Sequence, residues 1–286
     1  MWGRKREPKE ELGPGTALGP YRLESQLGEG GMGIVFRAVR EPDGHVVALK
    51  ILRRELTGDQ THRRRFTHEA RAAAEVHHPH LAPVLDVGEA GGRVFLAVSF
   101  IEGRSLDDRI REEGPLPVPD IVTLAYQMAS ALDALHDKEV LHRDLKPSNV
   151  MLDASGDAVL TDFGLAKGRA YTVLTKPGQV MGTLDYLAPE VIRGQPATPA
   201  SDLYGLGCVL YECVAGQPPF AHKGVFQVGV AHLEEEPPDP ARDRADVPTG
   251  FAWALMRALE KDPAKRPPSG VAYAQMLRVG AGGPRG

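Results

Sequence analysis

The sequence predicts an α+β protein of two packing units, an antiparallel sheet with one main helix followed by a mainly helical unit. Three observations support this prediction. The chain has 286 residues, which at roughly 150 residues per domain allows two cores. Apolar residues alternate in short runs between residues 21 and 101, as strands require. From about Ser105 onward they recur every three or four residues, as helices require.

Composition and charge restrict the class of protein. The 34 Lys and Arg residues nearly balance 38 Asp and Glu residues, for a formal net charge of −4, so we expect no chain-wide attraction to nucleic acid. Cys208 and Cys213 form no zinc pattern and suit buried thiols in a reducing compartment. The first eleven residues are charged, and no run of 18 apolar residues occurs. We therefore expect neither a secretion signal nor a membrane span, and we predict a cytoplasmic location.

The chain divides into a flexible leader, a sheet-rich unit, a helical unit and a flexible tail: residues 1–19, 20–102, 103–279 and 280–286. The leader and the tail are rich in glycine and lack apolar periodicity. The sheet-rich unit contains one helical pattern over residues 60–76. In the helical unit, the spacing of Met128 and Trp253 predicts that both side chains lie in the core.

The segment GEGGMG at residues 28–33 has the spacing G-x-G-x-x-G, which also occurs in dinucleotide-binding folds. In those folds a helix begins at the third glycine, whereas residues 34–39, IVFRAV, favour a strand. The glycines are therefore predicted to join two strands of a hairpin, where backbone N–H groups can approach phosphate oxygens. A merely flexible turn is the alternative interpretation of this segment alone.

Lys50 ends the apolar strand VALK at residues 47–50, shortly after the glycine segment. A lysine in that position either extends its ammonium group to solvent or binds a phosphate. Glu69 is the acid on the apolar side of the intervening helix. It is the candidate partner that would hold Lys50 in one rotamer, although spacing alone does not show that the two side chains meet.

The run HRDLKPSN at residues 142–149 and the triplet DFG at residues 162–164 complete a resemblance. Together with the glycine segment, Lys50 and Glu69, they resemble the signature set of the eukaryotic-like Ser/Thr protein kinases, especially the bacterial branch. The similarity covers about residues 21–279. It implies a bilobal protein-kinase-like fold, ATP and Mg²⁺ as cofactors, and protein substrates with Ser or Thr acceptors.

The resemblance also implies a role for each matching residue. Asp144 would orient the attacking hydroxyl and accept its proton, and Lys146 would neutralise charge on the transferred γ-phosphoryl group. Lys50 and Glu69 would complete the catalytic set. The nucleotide site would comprise Leu27, Gly28, Gly30, Gly33, Val35, Ala48, Lys50, Val98, Ser99, Ile101 and Met151.

Magnesium would bind to Asn149 and Asp162, since this hard cation prefers carboxylate and amide oxygens together with phosphate oxygens. The predicted hinge departs from the family pattern. Many members carry a larger residue in place of Val98 and an acid in place of Ser99. Because the adenine would bind to backbone groups near Ser99 and Ile101, these changes leave ATP binding available.

Two later motifs extend the resemblance. GTLDYLAPE at residues 182–190 resembles the end of a kinase activation segment, and KDPAKRP at residues 261–267 resembles a late motif of the helical lobe. The family pattern implies that Glu190 pairs with Arg266 and that Asp202 anchors the catalytic loop. It also implies that Thr183 lies behind the acceptor site.

Arg143 directly before Asp144 is typical of kinases whose activation segment is ordered by a phosphate. Thr172 and Thr175 are the candidate phosphorylation sites, and Tyr171 is a weaker one. A dimer of two kinase copies would allow phosphorylation in trans.

Two other functional classes remain open at this point. A pseudokinase acting as a binding scaffold would ordinarily lack one of the chemical residues, and none is missing here. A small-molecule phosphotransferase of the antibiotic-kinase type would usually lack the APE triplet at residues 188–190 and the full HRDLKPSN run. An active protein kinase is therefore the favoured hypothesis.

Overall fold

A computed structural model of the chain describes residues 12–31, 33–53, 60–162 and 184–282. The side chains of five residues within its helices are not described: Thr61, His62, Arg65, Val225 and Phe226. The described residues form two compact units. The first contains the residues up to Thr67 together with Val84–Phe100, and the second contains His68–Pro83 together with the residues from Ile101 onward.

The first unit is built on an antiparallel sheet of six strands in the order β1-β2-β3-β4-β6-β5. The strands are β1 Ala17–Leu18, β2 Tyr21–Gly30, β3 Gly33–Arg40, β4 His45–Leu52, β5 Val84–Ala90 and β6 Arg93–Ser99. Alternate residues of these strands point into one apolar core, as the two-residue period of a strand requires. This sheet confirms the predicted antiparallel architecture.

Residues 12–19 correct the prediction of a flexible leader. The main chain of Gly15 donates a hydrogen bond of 2.7 Å to the carbonyl of Leu23, and β1 pairs with β2 where Leu18 lies opposite Tyr21. Leu18 is buried in the core, and Leu12 packs against it. The glycine and proline content suggested a loose segment, but two leucines tie it to the sheet. Residues 1–11 lie outside the described residues.

The division into units also differs from the predicted boundary at residue 102. Helix α1, Gln60–Ala74, begins among the residues of the first unit and ends among those of the second. The loop after it continues in the second unit, because Leu81 forms a β-bridge with Leu160. The main chain of Ala82 also donates to the carbonyl of Leu160 at 2.9 Å.

The second unit is mainly helical, as predicted. Its helices are α2 Leu106–Glu113, α3 Val118–His136, α4 Pro189–Ile192, α5 Pro199–Ala215, α6 Val225–Glu234, α7 Thr249–Met256 and α8 Gly270–Gly280. A small antiparallel sheet contains β7 Gly103–Ser105, β8 Val150–Asp153 and β9 Ala158–Leu160. Among the described helices, none is long and apolar enough to cross a membrane.

Helix α5 is the centre of the second unit. Its residues from Ser201 to Val214 are all buried, which is typical of a helix enclosed on every side. A capping box of Thr198 and Ser201 begins the helix, and Gly216 ends it in the left-handed conformation. This enclosed helix carries the polar side chains that hold the predicted catalytic loop and the end of the predicted activation segment.

Candidate active site

The glycine segment joins β2 and β3 of one hairpin, because Gly30 lies opposite Gly33 in the register. A strand, not a helix, begins at the third glycine. This confirms the predicted hairpin and excludes the dinucleotide-binding fold as the origin of the motif. Leu27, just before the segment, is 47% exposed, which is high for a leucine.

Four predicted nucleotide-site residues lie on one face of the sheet. Val35 is directly opposite Lys50 across β3 and β4, and Ala48 is directly opposite Val98 across β4 and β6. Directly opposed residues share a face, and residues two apart on one strand share it as well. Lys50 thus lies on the face opposite the buried residues Val47, Leu49 and Ile51.

The remaining nucleotide-site residues are distributed between the two units. Ser99 ends β6 in the first unit. Ile101 and Met151 belong to the second unit, where Met151 lies on β8 opposite Ser105 and Val159.

Gly33 is required by close packing between strands, and this leads to a prediction about stability. A Cβ atom at Gly33 would lie 2.1 Å from the carbonyl oxygen of Ile51 on β4, whereas one at Gly28 would meet no described atom within 4 Å. We expect Gly33→Ala to lower the free energy of unfolding by about 1–3 kcal/mol. Gly28→Ala is the matched control and should change it by less than about 0.5 kcal/mol. Equal urea midpoints for the two variants would contradict this explanation.

The catalytic loop holds the carboxylate of Asp144 in place. The amide Nδ2 of Asn149 donates hydrogen bonds to the carbonyl of Asp144 at 2.7 Å and to its carboxylate Oδ2 at 3.1 Å. The ammonium of Lys146 lies 3.6 Å from the same carboxylate oxygen. The three predicted residues are therefore brought together, with Asn149 almost completely buried on a 3-10 turn, Pro147–Asn149.

Asp202 of α5 anchors this loop, as the family pattern implies. Its carboxylate accepts hydrogen bonds from the backbone N–H of His142 at 2.9 Å and of Arg143 at 2.8 Å. It is also 2.9 Å from Nε2 of His136. Burial would raise the pKa of Asp202, but the hydrogen bond and charge of His136 overcome it and lower the pKa below its usual value. Arg143 needs this support because its φ is +60°, a left-handed conformation.

His142 connects the catalytic loop to the segment that ends in Asp162. Its Nε2 lies 3.0 Å from the carbonyl of Thr161, and the hydroxyl of Thr161 donates to the carbonyl of Asn149 at 3.2 Å. Complete burial lowers the pKa of His142, so the ring is neutral near pH 7. The φ of Asp162 is +57°. These bonds fix Thr161, directly before Asp162, against His142 and the main chain of Asn149.

The side-chain oxygens of Asn149 and Asp162 are of the kind that a magnesium ion prefers as ligands. Asn149 uses its Nδ2 group on Asp144, so the amide oxygen is the atom that it offers to a cation. Across the described ranges, no group of three or more His, Cys, Asp or Glu side chains forms a metal cage. Mg²⁺ in phosphoryl-transfer sites does not require one, since phosphate oxygens and water complete its coordination.

Glu69 of α1 accepts a hydrogen bond of 2.6 Å from Nη1 of Arg143, and both side chains are largely buried. The predicted contact of Glu69 with Lys50 stays a prediction. The predicted phosphorylation sites Thr172, Thr175 and Tyr171, together with Thr183, lie outside the described residues.

The pair of Glu190 and Arg266 is confirmed. The guanidinium donates to both carboxylate oxygens at 2.7 and 2.8 Å, and the hydroxyl of Ser201 donates to Oε1 at 2.6 Å. Burial would raise the pKa of Glu190, but the bonds from Arg266 and Ser201 overcome it and lower the pKa. This ion pair ties α4, at the end of the predicted activation segment, to the chain that follows α7.

Sequence reasoning missed a buried carboxyl group on α5. Glu212 accepts a hydrogen bond of 2.6 Å from the hydroxyl of Tyr186, which lies on the 3-10 turn Leu184–Tyr186 in the last part of the predicted activation segment. A single acid within the apolar run CVLYECVA at residues 208–215 was the available signal. Burial raises the pKa of Glu212 to about 7, and the nearby charges of Asp107 and Asp185 act in the same direction.

The raised pKa of Glu212 predicts a pH-dependent stability. A carboxyl whose pKa is about 7 when folded, against the usual 4.5, stabilises the fold fully below pH 4.5, and this contribution is lost as the pH rises through 7. Glu212→Gln keeps the hydrogen-bond acceptor and does not titrate. When the pH rises from 5 to 8, the free energy of unfolding of the native chain should therefore fall by at most about 3 kcal/mol relative to that of Glu212→Gln.

Urea unfolding at both pH values checks this expectation, and the exposed Glu236→Gln serves as the control. The free energy of unfolding of the native chain is compared with that of Glu212→Gln at each pH. If the difference were the same at both pH values, Glu212 would be ionised over the whole range.

Comparison with known proteins agrees with this geometry. The family described as "Protein kinase domain" matches residues 21–276. PknE of Mycobacterium tuberculosis strain H37Ra, a serine/threonine-protein kinase, is 39% identical over 252 residues, which are 88% of this chain and 44% of PknE. The serine/threonine-protein kinase PknH of Mycobacterium bovis is 38% identical over 88% of this chain and 42% of its own length. The chain thus spans less than half the length of these curated relatives.

The fold is also similar to a solved structure. The crystal structure of the M. tuberculosis PknI kinase domain matches with a TM-score of 0.77 and 30% identity, over 95% of this chain and 100% of that domain. The match extends over both the sheet and the helical unit, which confirms the predicted fold. The chain belongs to the protein kinase family, as a relative of mycobacterial serine/threonine-protein kinases.

Proposed function

We propose that this chain is an active serine/threonine protein kinase, which transfers the γ-phosphoryl group of ATP to Ser or Thr hydroxyls of proteins. One observation carries the proposal. The carboxylate of Asp144 is held by the amide of Asn149, with the ammonium of Lys146 3.6 Å away. Phosphoryl transfer needs little covalent work from a protein, so a fixed base and a fixed cation are the groups to expect.

In this proposal Asp144 orients the acceptor hydroxyl and takes its proton, and Lys146 balances negative charge on the transferred group. Lys50 holds the nucleotide phosphates from the sheet face that it shares with Val35 and Ala48. Asn149 and Asp162 hold Mg²⁺, which supplies positive charge to the phosphate oxygens when bound.

An acceptor comparison tests the proposal. The purified chain is incubated with Mg²⁺ and γ-labelled ATP in the presence of a generic basic protein, an aminoglycoside or no acceptor. Label in serine or threonine of the protein supports the kinase. Label in the aminoglycoside would indicate a small-molecule phosphotransferase, and ATP binding without any transfer would indicate a pseudokinase scaffold.

We also propose that the chain phosphorylates its own activation segment on Thr172 or Thr175, with Tyr171 as a weaker site. The sequence position of Arg143 supports this, since an arginine directly before the catalytic aspartate is typical of kinases whose activation segment is ordered by a phosphate. Mapping of peptides after incubation with Mg-ATP should find phosphate on one or both threonines. Phosphate confined to residues outside 162–190 would contradict it.

Transfer between two copies in a kinase dimer is the proposed route, so the initial rate of self-phosphorylation should rise with the square of the chain concentration. A first-order dependence would instead indicate transfer within one copy.

The buried thiols of Cys208 and Cys213 support a cytoplasmic location, where thiols stay reduced.

A further inference from the structure

The tip of the glycine segment, residues 28–31, has little support from packing. Glu29, Gly30 and Gly31 are exposed, and a Cβ atom at either of these glycines or at Gly28 would meet no described atom within 4 Å. The pairing of β2 with β3 also shifts its register twice on the way to the tip. Each shift interrupts the ladder of backbone hydrogen bonds. Packing and strand pairing among the described residues therefore hold this tip only weakly.

An arginine holds the tip from the neighbouring strand. Arg53 directly follows β4, whose last residue, Leu52, lies opposite Gly33 in the register. The Nε of Arg53 donates a hydrogen bond of 3.2 Å to the carbonyl of Gly30, and its Nη2 donates one of 2.8 Å to the carboxylate of Glu29. The guanidinium thus binds the tip through both the main chain and a side chain.

The exposure of this contact argues against a large role in the stability of the sheet. The side chains of Arg53 and Glu29 are 39% and 47% exposed, and an exposed ion pair adds little to the free energy of unfolding because water screens it. Arg22 and Glu41 form a comparable exposed pair at the other end of the same hairpin. The pair at the tip differs from it in position, because it fixes the backbone that the phosphates of a nucleotide would approach.

We infer that Arg53 is a positioning residue for the nucleotide: through Glu29 and the carbonyl of Gly30, it holds the tip of the glycine segment in the conformation that receives the phosphates of ATP. A loop that is already held loses less conformational freedom when the phosphates bind, so the complex is more stable. The inference rests on the proposed function, since it concerns the ATP site of the same kinase.

Equilibrium binding of ATP and of adenosine to Arg53→Gln tests this inference. The glycine segment would contact phosphates, which adenosine lacks. The variant should therefore raise the Kd of ATP by about three- to fivefold and leave the Kd of adenosine unchanged. Arg22→Gln is the matched control, since it breaks the exposed arginine–glutamate pair at the other end of the hairpin, and it should bind both ligands as the native chain does.

A second pair of variants shows whether Arg53 acts through the tip or on the phosphates themselves. In a chain with Glu29→Ala, the guanidinium has lost its carboxylate partner. Adding Arg53→Gln to that chain should therefore raise the Kd of ATP by less than about twofold. The same three- to fivefold rise with and without Glu29 would show that Arg53 binds the nucleotide directly, and it would overturn the inference.

Two other results would also overturn it. One is an equal Kd of ATP for Arg53→Gln and Arg22→Gln. The other is an equal loss of ATP and adenosine binding in Arg53→Gln, which would indicate general damage to the sheet. Since binding is measured without phosphoryl transfer, these results are independent of kinase activity. A native chain that binds ATP but labels no protein would refute the proposed function, and the same binding constants would still decide the role of Arg53.

Discussion

Asp144→Asn is expected to lower kcat for transfer to a protein acceptor by about 10²–10⁴, the usual effect of losing a general base. An asparagine preserves the size of the side chain and still accepts a hydrogen bond from Nδ2 of Asn149, but it cannot take the proton of the attacking hydroxyl. ATP binding, which does not use this carboxylate in the proposed mechanism, should persist. Single-turnover transfer with saturating ATP measures the chemical step directly.

Asp120→Asn is the control for this variant, because Asp120 is an exposed aspartate in the first turn of α3. It should transfer phosphate at the native rate. Equal rates for Asp144→Asn and the native chain would remove the base from the proposed mechanism. Loss of ATP binding in Asp144→Asn would assign the carboxylate to nucleotide binding instead.

Glu190→Gln is expected to lower the free energy of unfolding by about 3–5 kcal/mol. The side chain of Arg266 has no exposed surface, and that of Glu190 is 4% exposed. The substitution therefore leaves a guanidinium charge buried without a counter-ion. The other hydrogen bonds of this guanidinium, to the carbonyls of Glu260, Ala200 and Lys261, involve neutral acceptors and do not replace the carboxylate. Urea unfolding monitored by circular dichroism gives the difference.

A matched substitution in an exposed pair separates burial from charge pairing as such. Glu235 lies 2.9 Å from the ammonium of Lys223, with 47% of its side chain exposed. Glu235→Gln should cost no more than about 1 kcal/mol, since water screens such a pair. If the two Glu→Gln variants lost the same stability, the buried pair would not be the strong link between α4 and the chain after α7 that its geometry indicates.

Local patterns predicted most of the elements because strands and helices bury one face at a fixed period. The helix Val118–His136 carries a continuous apolar stripe, and Met128 within it is fully buried, as expected. Trp253 is the counterexample. Its side chain is 62% exposed and lies beneath the guanidinium of Arg257, 5.7 Å from the ring centroid. The core stripe of α7 runs through Phe251, Ala254 and Leu255. The helical spacing therefore assigned Trp253 to the wrong face of the helix, and its predicted place in the core is wrong.

Contacts between residues far apart in the sequence could be predicted only from the family resemblance. Nothing local connects Glu190 to Arg266, yet the family pattern implied the contact that the structure confirms. The same holds for Asp202 and the catalytic loop. Glu212 belongs to no motif, and its significance depends on which helices enclose it. Such buried polar groups are visible only when the packing of the second unit is known.

The most direct test of the proposed kinase measures transfer of γ-phosphate from ATP to serine or threonine of a protein. The native chain is compared with the variants Lys50→Met and Asp162→Asn. The two substitutions lie in different units of the molecule, so the measurement shows whether transfer requires a residue from each unit. We predict labelled phosphoserine or phosphothreonine with the native chain and Mg-ATP, and loss of label in both variants. Native-level transfer by either variant, or no protein label from the native chain, would contradict the assignment.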